Sequence, residues 1–66
     1  MSVAKIIEIS AESPKSFDDA IRQGIERASQ TLQNIQTAWL KEQQVVVNGG
    51  KVVGYRVILK VTFVLN

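Results

Sequence analysis

Few side chains in this chain have types and spacings suited to chemistry, and they are unevenly placed. Trp39 is the only tryptophan, and residues 35–66 carry Lys41, Lys51, Arg56 and Lys60 against a single acid, Glu42. The remaining carboxylates are Glu8, Glu12, Asp18, Asp19 and Glu26, and the chain holds no Cys and no His. Thiol and imidazole catalysis, disulfides and soft or borderline metal sites are therefore excluded. The carboxylates do not read as an acid–base pair, because Asp18 and Asp19 suit the positive end of a helix and the others are scattered. Asn48-Gly49-Gly50 separates two strand-like runs, whereas a phosphate-cradling loop joins a strand to a helix. Two chemistries survive. Trp39 with nearby cations is a stacking platform or an interface anchor. Carboxylate oxygens brought together on the symmetry axis of an oligomer would hold Mg or Ca ions, a question one chain leaves open.

The chain that must position these groups has 66 residues, 45% hydrophobic and 21% charged, which makes one domain over residues 1–66 and excludes most enzymes. A formal charge of +2 does not by itself indicate nucleic acid or an anionic membrane. A domain of this size hides only about 60% of the surface its unfolded chain exposes. Without disulfide or zinc, self-association or unusually good packing must supply the missing burial. No apolar run is long enough to span a membrane, and MSVAKIIEIS lacks the pattern of a secretory signal, so a cytoplasmic location is expected.

Four elements are expected. Ala4–Ser10 is short and rich in isoleucine, which favours a strand, and Glu12-Ser13-Pro14-Lys15 breaks it. Ser16, followed three residues later by Asp19, is a capping box with the shorter acid. From there Phe17, Ala20, Ile21, Gly24, Ile25, Ala28 and Leu32 recur at helical spacing, predicting an amphipathic helix of about four to five turns that leaves at Asn34. Its small residues Ala20, Gly24 and Ala28 would let it lie close to a sheet. Ile35–Val47 and Val52–Leu65 then form a hairpin around Asn48-Gly49-Gly50-Lys51. In the last strand Val53, Tyr55, Val57, Leu59, Val61, Phe63 and Leu65 point toward the helix, and Gly54, Arg56, Ile58, Lys60 and Thr62 point away.

A hairpin loop at Asn48-Gly49 places Val57 across from Leu40, Leu59 from Ala38, Ile58 from Trp39 and Arg56 from Lys41. Trp39 then shares the face opposite the helix with Thr37, Lys41, Arg56, Ile58 and Lys60, with Arg56 its diagonal neighbour. A three-residue loop would turn Trp39 inward instead. A single helix covers one face of the sheet, so partners are expected to bury the other.

The order strand, helix, long hairpin resembles the dodecin family. Ile7-Glu8-Ile9 through Ser13-Pro14 to Ala20-Ile21, Ala28 through Thr31, and Trp39 with Lys60-Val61-Thr62-Phe63 carry the resemblance over nearly the whole chain. It implies an α+β fold of order β-α-β-β, a three-stranded antiparallel sheet wrapped on one amphipathic helix. It also implies twelve copies in a hollow shell, with flavin, riboflavin or FMN, bound in pairs at two-fold interfaces and stored without turnover. Trp39 matches the position that stacks on the flavin ring, and Lys41, Arg56 and Ile58 complete the expected flavin-binding set. Arg56 stands where that family carries a Gln, whose amide both donates and accepts; an Arg only donates. It would stack on the ring, bind a flavin phosphate, or fill the pocket with an ion pair. The last case gives a shell that binds no flavin and sequesters ions or another small ligand. A small nucleic-acid-binding sheet using Lys41, Arg56, Lys60 and Trp39 is the remote alternative; neither nucleic acid nor membrane is the expected partner.

Overall fold

A computed structural model describes residues 2–65. The expected α+β order is observed: β1 (Val3–Ser13), α1 (Phe17–Ala28), β2 (Ile35–Asn48) and β3 (Lys51–Leu65), with the strands in one antiparallel sheet of order β1-β3-β2. The most regular apolar alternation belongs to β3, the central strand, which is hydrogen-bonded on both edges. Val57, Leu59 and Val61 point to the helix and are buried, and with Ala20 they form the core. Ile7, Ile9, Ala11, Phe17, Ile21, Ile25 and Ile35 pack around it. Val53 and Leu65, expected on this face as core, are instead exposed, because the helix spans only the middle of the long hairpin.

The helix begins as its sequence dictates. Ser16 is the N-cap and its hydroxyl accepts from the Asp19 backbone N–H at 2.9 Å. The Asp19 carboxylate takes the buried Ser13 hydroxyl at 2.5 Å and the Gln23 amide at 2.7 Å. This clasp keeps β1 extended through Ser13, beyond the end expected at Ser10. The helix also stops earlier than its periodicity suggested. Ser29 Oγ–H donates to the Ile25 carbonyl, and Gln30 and Thr31 close tighter turns on Arg27 and Ala28, so Leu32 follows the helix without belonging to it. Asn34 then exits with a positive φ of 63°, and its carbonyl accepts from the Val64 N–H. Gly24 and Ala20 are buried, and a Cβ on Gly24 would stand 3.0 Å from that of Ala11, which sets how closely helix and sheet approach.

The hairpin register differs from the expectation. Gly49 and Gly50, at φ 59° and 76°, are the two loop residues, and Asn48 pairs with Lys51. Two mirror-type turn positions require positive φ, which a Gly pair adopts at no steric cost. Three irregularities interrupt the hairpin ladder, two of them between the turn and Trp39 and the third at Gln36, near the start of β2. Val53 is an extra residue in β3 and Lys41 an extra residue in β2. Either bulge alone would turn every later side chain to the opposite face; together they cancel. Val57 therefore lies opposite Gln43, Leu59 opposite Leu40, Ile58 opposite Glu42 and Arg56 opposite Gln44.

The helix packs on β1 and β3, and most of β2 is exposed on both faces. The chain measures 50 × 19 × 14 Å, and its radius of gyration of 13.5 Å exceeds the roughly 11 Å of a compact domain of this length. No helix among the described residues is long and apolar enough to cross a membrane.

Candidate functional site

The helix-free face of the sheet carries the candidate site. Trp39 lies in β2 directly opposite Lys60 of β3, whose other neighbour is Glu8 of β1. Trp39 is 72% exposed, an unusual state for the largest side chain of a small protein. Beside it Thr37 pairs with Thr62 across the ladder, and Thr37, Ala38, Trp39 and Thr62 line a recess of about 270 Å³. That is below the usual range of about 300–1,000 Å³ for sites that enclose a small molecule, so one chain provides a platform and not a pocket. An indole face with hydroxyls beside it fits a planar ring with polar edges.

Ile58 lies on the same face, diagonal to Trp39. Lys41, the extra residue of the β2 bulge, reaches across the sheet, and its Nζ donates to Glu8 Oε1 at 2.8 Å. Lys41 hydrogen-bonds Glu8 and attracts its charge, which holds the Glu8 carboxyl below its ordinary value; Lys60 adds a smaller pull. The same hydrogen bond and charge raise Lys41 above its ordinary value.

Arg56 is not the diagonal neighbour of Trp39. It sits four residues from Lys60 along β3, about 13 Å at the usual rise per residue, in the row formed by Glu12, Arg56 and Gln44. Its Nε donates to Glu12 Oε1 at 2.9 Å, its Nη2 lies 2.7 Å from the same oxygen in an ion pair, and its Nη1 donates to Gln44 Oε1 at 3.0 Å. Gly54 leaves room for this arrangement, since a Cβ there would lie 3.3 Å from the Glu12 carboxylate. Sequence reasoning did not find the roles of Glu8, Glu12 and Gln44. The charge alternation of β1 was a signal for the two acids; for Gln44 there was none without the bulges.

A larger recess, about 360 Å³, lies elsewhere, between α1 and β1, with Gln23, Arg27 and Thr31 at its rim. It has no aromatic surface and none of the clustered cations, so the Trp39 face is the better candidate. Among the described residues no three His, Cys, Asp or Glu side chains gather as a metal cage within the single chain.

The family model described as Dodecin matches residues 3–66. Calcium dodecin of Mycobacterium tuberculosis is 35% identical over 63 residues, covering 96% of this chain and 89% of the relative. A dodecin from Streptomyces davaonensis superimposes with a TM-score of 0.93 at 37% identity, covering 98% of this chain and 96% of that one. The crystal structure of the M. tuberculosis calcium dodecin, described as having a novel calcium-binding site, gives a TM-score of 0.86 at 32% identity over 98% of this chain and 93% of its own.

Proposed function

The chain belongs to the dodecin family, and we propose that it binds and stores a flavin, riboflavin or FMN, on Trp39 where copies of the chain meet. The observation that carries this reading is the position of Trp39, 72% exposed on the face no helix covers. An indole gives an aromatic ring contact area without demanding hydrogen bonds, and Thr37 and Thr62 offer hydroxyls at its border. A bound flavin would supply a planar chromophore whose emission stacking on Trp39 quenches. The assembly is a homo-oligomer, in our reading a hollow dodecamer. The exposure of Ile6, Trp39, Leu40, Val45 and Val47 supports it, as does an elongated chain too short to bury both faces of its sheet. The role is binding without turnover.

The test is the mass and visible spectrum of the native particle, followed by titration with riboflavin and FMN under flavin fluorescence. A yellow particle, or quenching at stoichiometric protein, is expected; a colourless particle that leaves both flavins fluorescent overturns the ligand assignment.

One observation favours a second reading, a shell of the same fold that holds ions or another small ligand in place of flavin. Arg56 is already committed to Glu12 and Gln44, and a relative at 35% identity is named for calcium. Under this reading Arg56→Gln gains a flavin affinity that the natural chain lacks.

A further inference from the structure

Two cations, Lys41 and Lys60, stand on the open face near Trp39, and they are in different situations. Lys41 donates to Glu8 at 2.8 Å and also feels the charge of Glu42. Arg56, further along the same face, is taken by Glu12 and Gln44. Lys60 makes no hydrogen bond and no ion pair among the described residues, although Glu8 is its direct partner across the β1–β3 ladder. Lys41 holds the Glu8 oxygen that would otherwise be the natural partner of Lys60. On its other side Lys60 faces Trp39 directly, with Cβ atoms about 4.5–5.5 Å apart in such pairs. The open face therefore presents an uncommitted ammonium beside its one exposed aromatic platform.

An ammonium carries three donors on a flexible stem and pairs with phosphate as a point charge. Its position next to Trp39 lets it reach a group attached to a ring stacked on the indole. Thr37 and Thr62, on the flank away from Lys41, add neutral donors and no competing carboxylate. We propose that Lys60 is the residue that selects among planar ligands on Trp39, favouring a ring whose side chain bears a phosphate over the same ring without one. Lys41 serves this selection indirectly, as the positioning residue that occupies Glu8. The inference rests on the stacking reading given above and deepens it, because it names the charge class of the ligand.

Riboflavin and FMN differ by one phosphate, so they isolate the effect. Their affinities are measured by quenching of flavin fluorescence at low and high salt for the natural chain, Lys60→Gln and Lys60→Arg. The natural chain is expected to bind FMN about tenfold or more tighter than riboflavin, a ratio that shrinks with salt as a phosphate–ammonium contact requires. Lys60→Gln should bring the ratio of the two affinities near one, and Lys60→Arg should retain most of the preference. Equal affinities in the natural chain, or a preference that survives Lys60→Gln, overturn the role of Lys60 and leave the stacking reading intact. Failure of both flavins to bind any of the three proteins overturns the stacking reading, and the selection with it.

Discussion

Glu12 stands directly across the β1–β3 ladder from Arg56; one of its carboxylate oxygens accepts from Nε at 2.9 Å and lies 2.7 Å from Nη2 in an ion pair. The pair fixes Arg56 against the sheet, ties β1 to β3 on the open face and, through Gln44, extends to β2. It also decides what Arg56 offers a ligand, since Glu12 and Gln44 already engage its guanidinium.

In the single chain the two side chains are 42% and 49% exposed, so the pair is a surface ion pair in energetic terms. A double-mutant cycle of Arg56→Ala and Glu12→Ala should give a coupling of about 0.2–1 kcal/mol in urea unfolding, decreasing with added salt. A coupling of several kcal/mol would show instead that neighbouring subunits bury the pair.

The Glu8–Lys41 pair predicts a pH dependence with a definite sign on each side. Glu8 titrates below its ordinary 4.5 because Lys41 hydrogen-bonds it and attracts its charge. Its contribution is therefore present above 4.5 and lost as pH falls through the depressed value. Lys41 titrates above its ordinary 10.5 for the same reasons. Its contribution is present below 10.5 and lost as pH rises through the elevated value. Urea midpoints of the natural chain and Lys41→Gln should differ by a constant amount between these limits and converge outside them. Both groups are exposed, so the difference should be small and should shrink in high salt.

The face on which Trp39 lies was legible in the sequence, because the alternation of β3 defines two faces and an even-length loop assigns β2 to them. Its neighbours were not. The turn sits one residue later than expected, at Gly49-Gly50, and the bulges at Lys41 and Val53 leave no mark in propensity or periodicity. The slip, two residues at Trp39 and three between the bulges, kept Trp39 on its face and changed its partners, so Ile58 moved from opposite Trp39 to its diagonal and Arg56 moved away along the strand. The Glu12–Arg56 pair joins residues 44 positions apart through the ladder that only the fold brings together. The helix start was readable from Ser16 and Asp19. Its end was not, since a serine that bonds back to Ile25 competes with a continuing apolar period.

The Gly49-Gly50 turn sets the register of the hairpin and thereby the row that joins Trp39 to Lys60. Gly50 has φ 76°, and a Cβ there would meet nothing within 4 Å, so substitution is penalised by backbone conformation alone. Gly50→Ala should destabilise the fold by about 1–2 kcal/mol in urea unfolding. Gly50→Asn should cost less, because Asn tolerates the left-handed region better than Ala. Equal penalties for the two variants would place the cost in contacts and not in the backbone.

Trp39→Ala separates folding from binding. The side chain is 72% exposed in the single chain, so its removal takes little away from the Val57–Leu59–Val61 core on the opposite face. Secondary structure and the unfolding midpoint of the subunit should change within about 0.5 kcal/mol, the usual range for surface substitutions. Flavin affinity should weaken by about 1–3 kcal/mol, by analogy with the stacking of nucleobases on aromatic side chains. Circular dichroism, light-scattering mass and flavin titration on the same preparation read the three quantities together. If affinity falls while mass and fold are retained, Trp39 is a stacking platform. If the particle dissociates while each subunit stays folded, Trp39 is an interface anchor whose exposed area belongs to a neighbouring copy, and the ligand must be sought elsewhere.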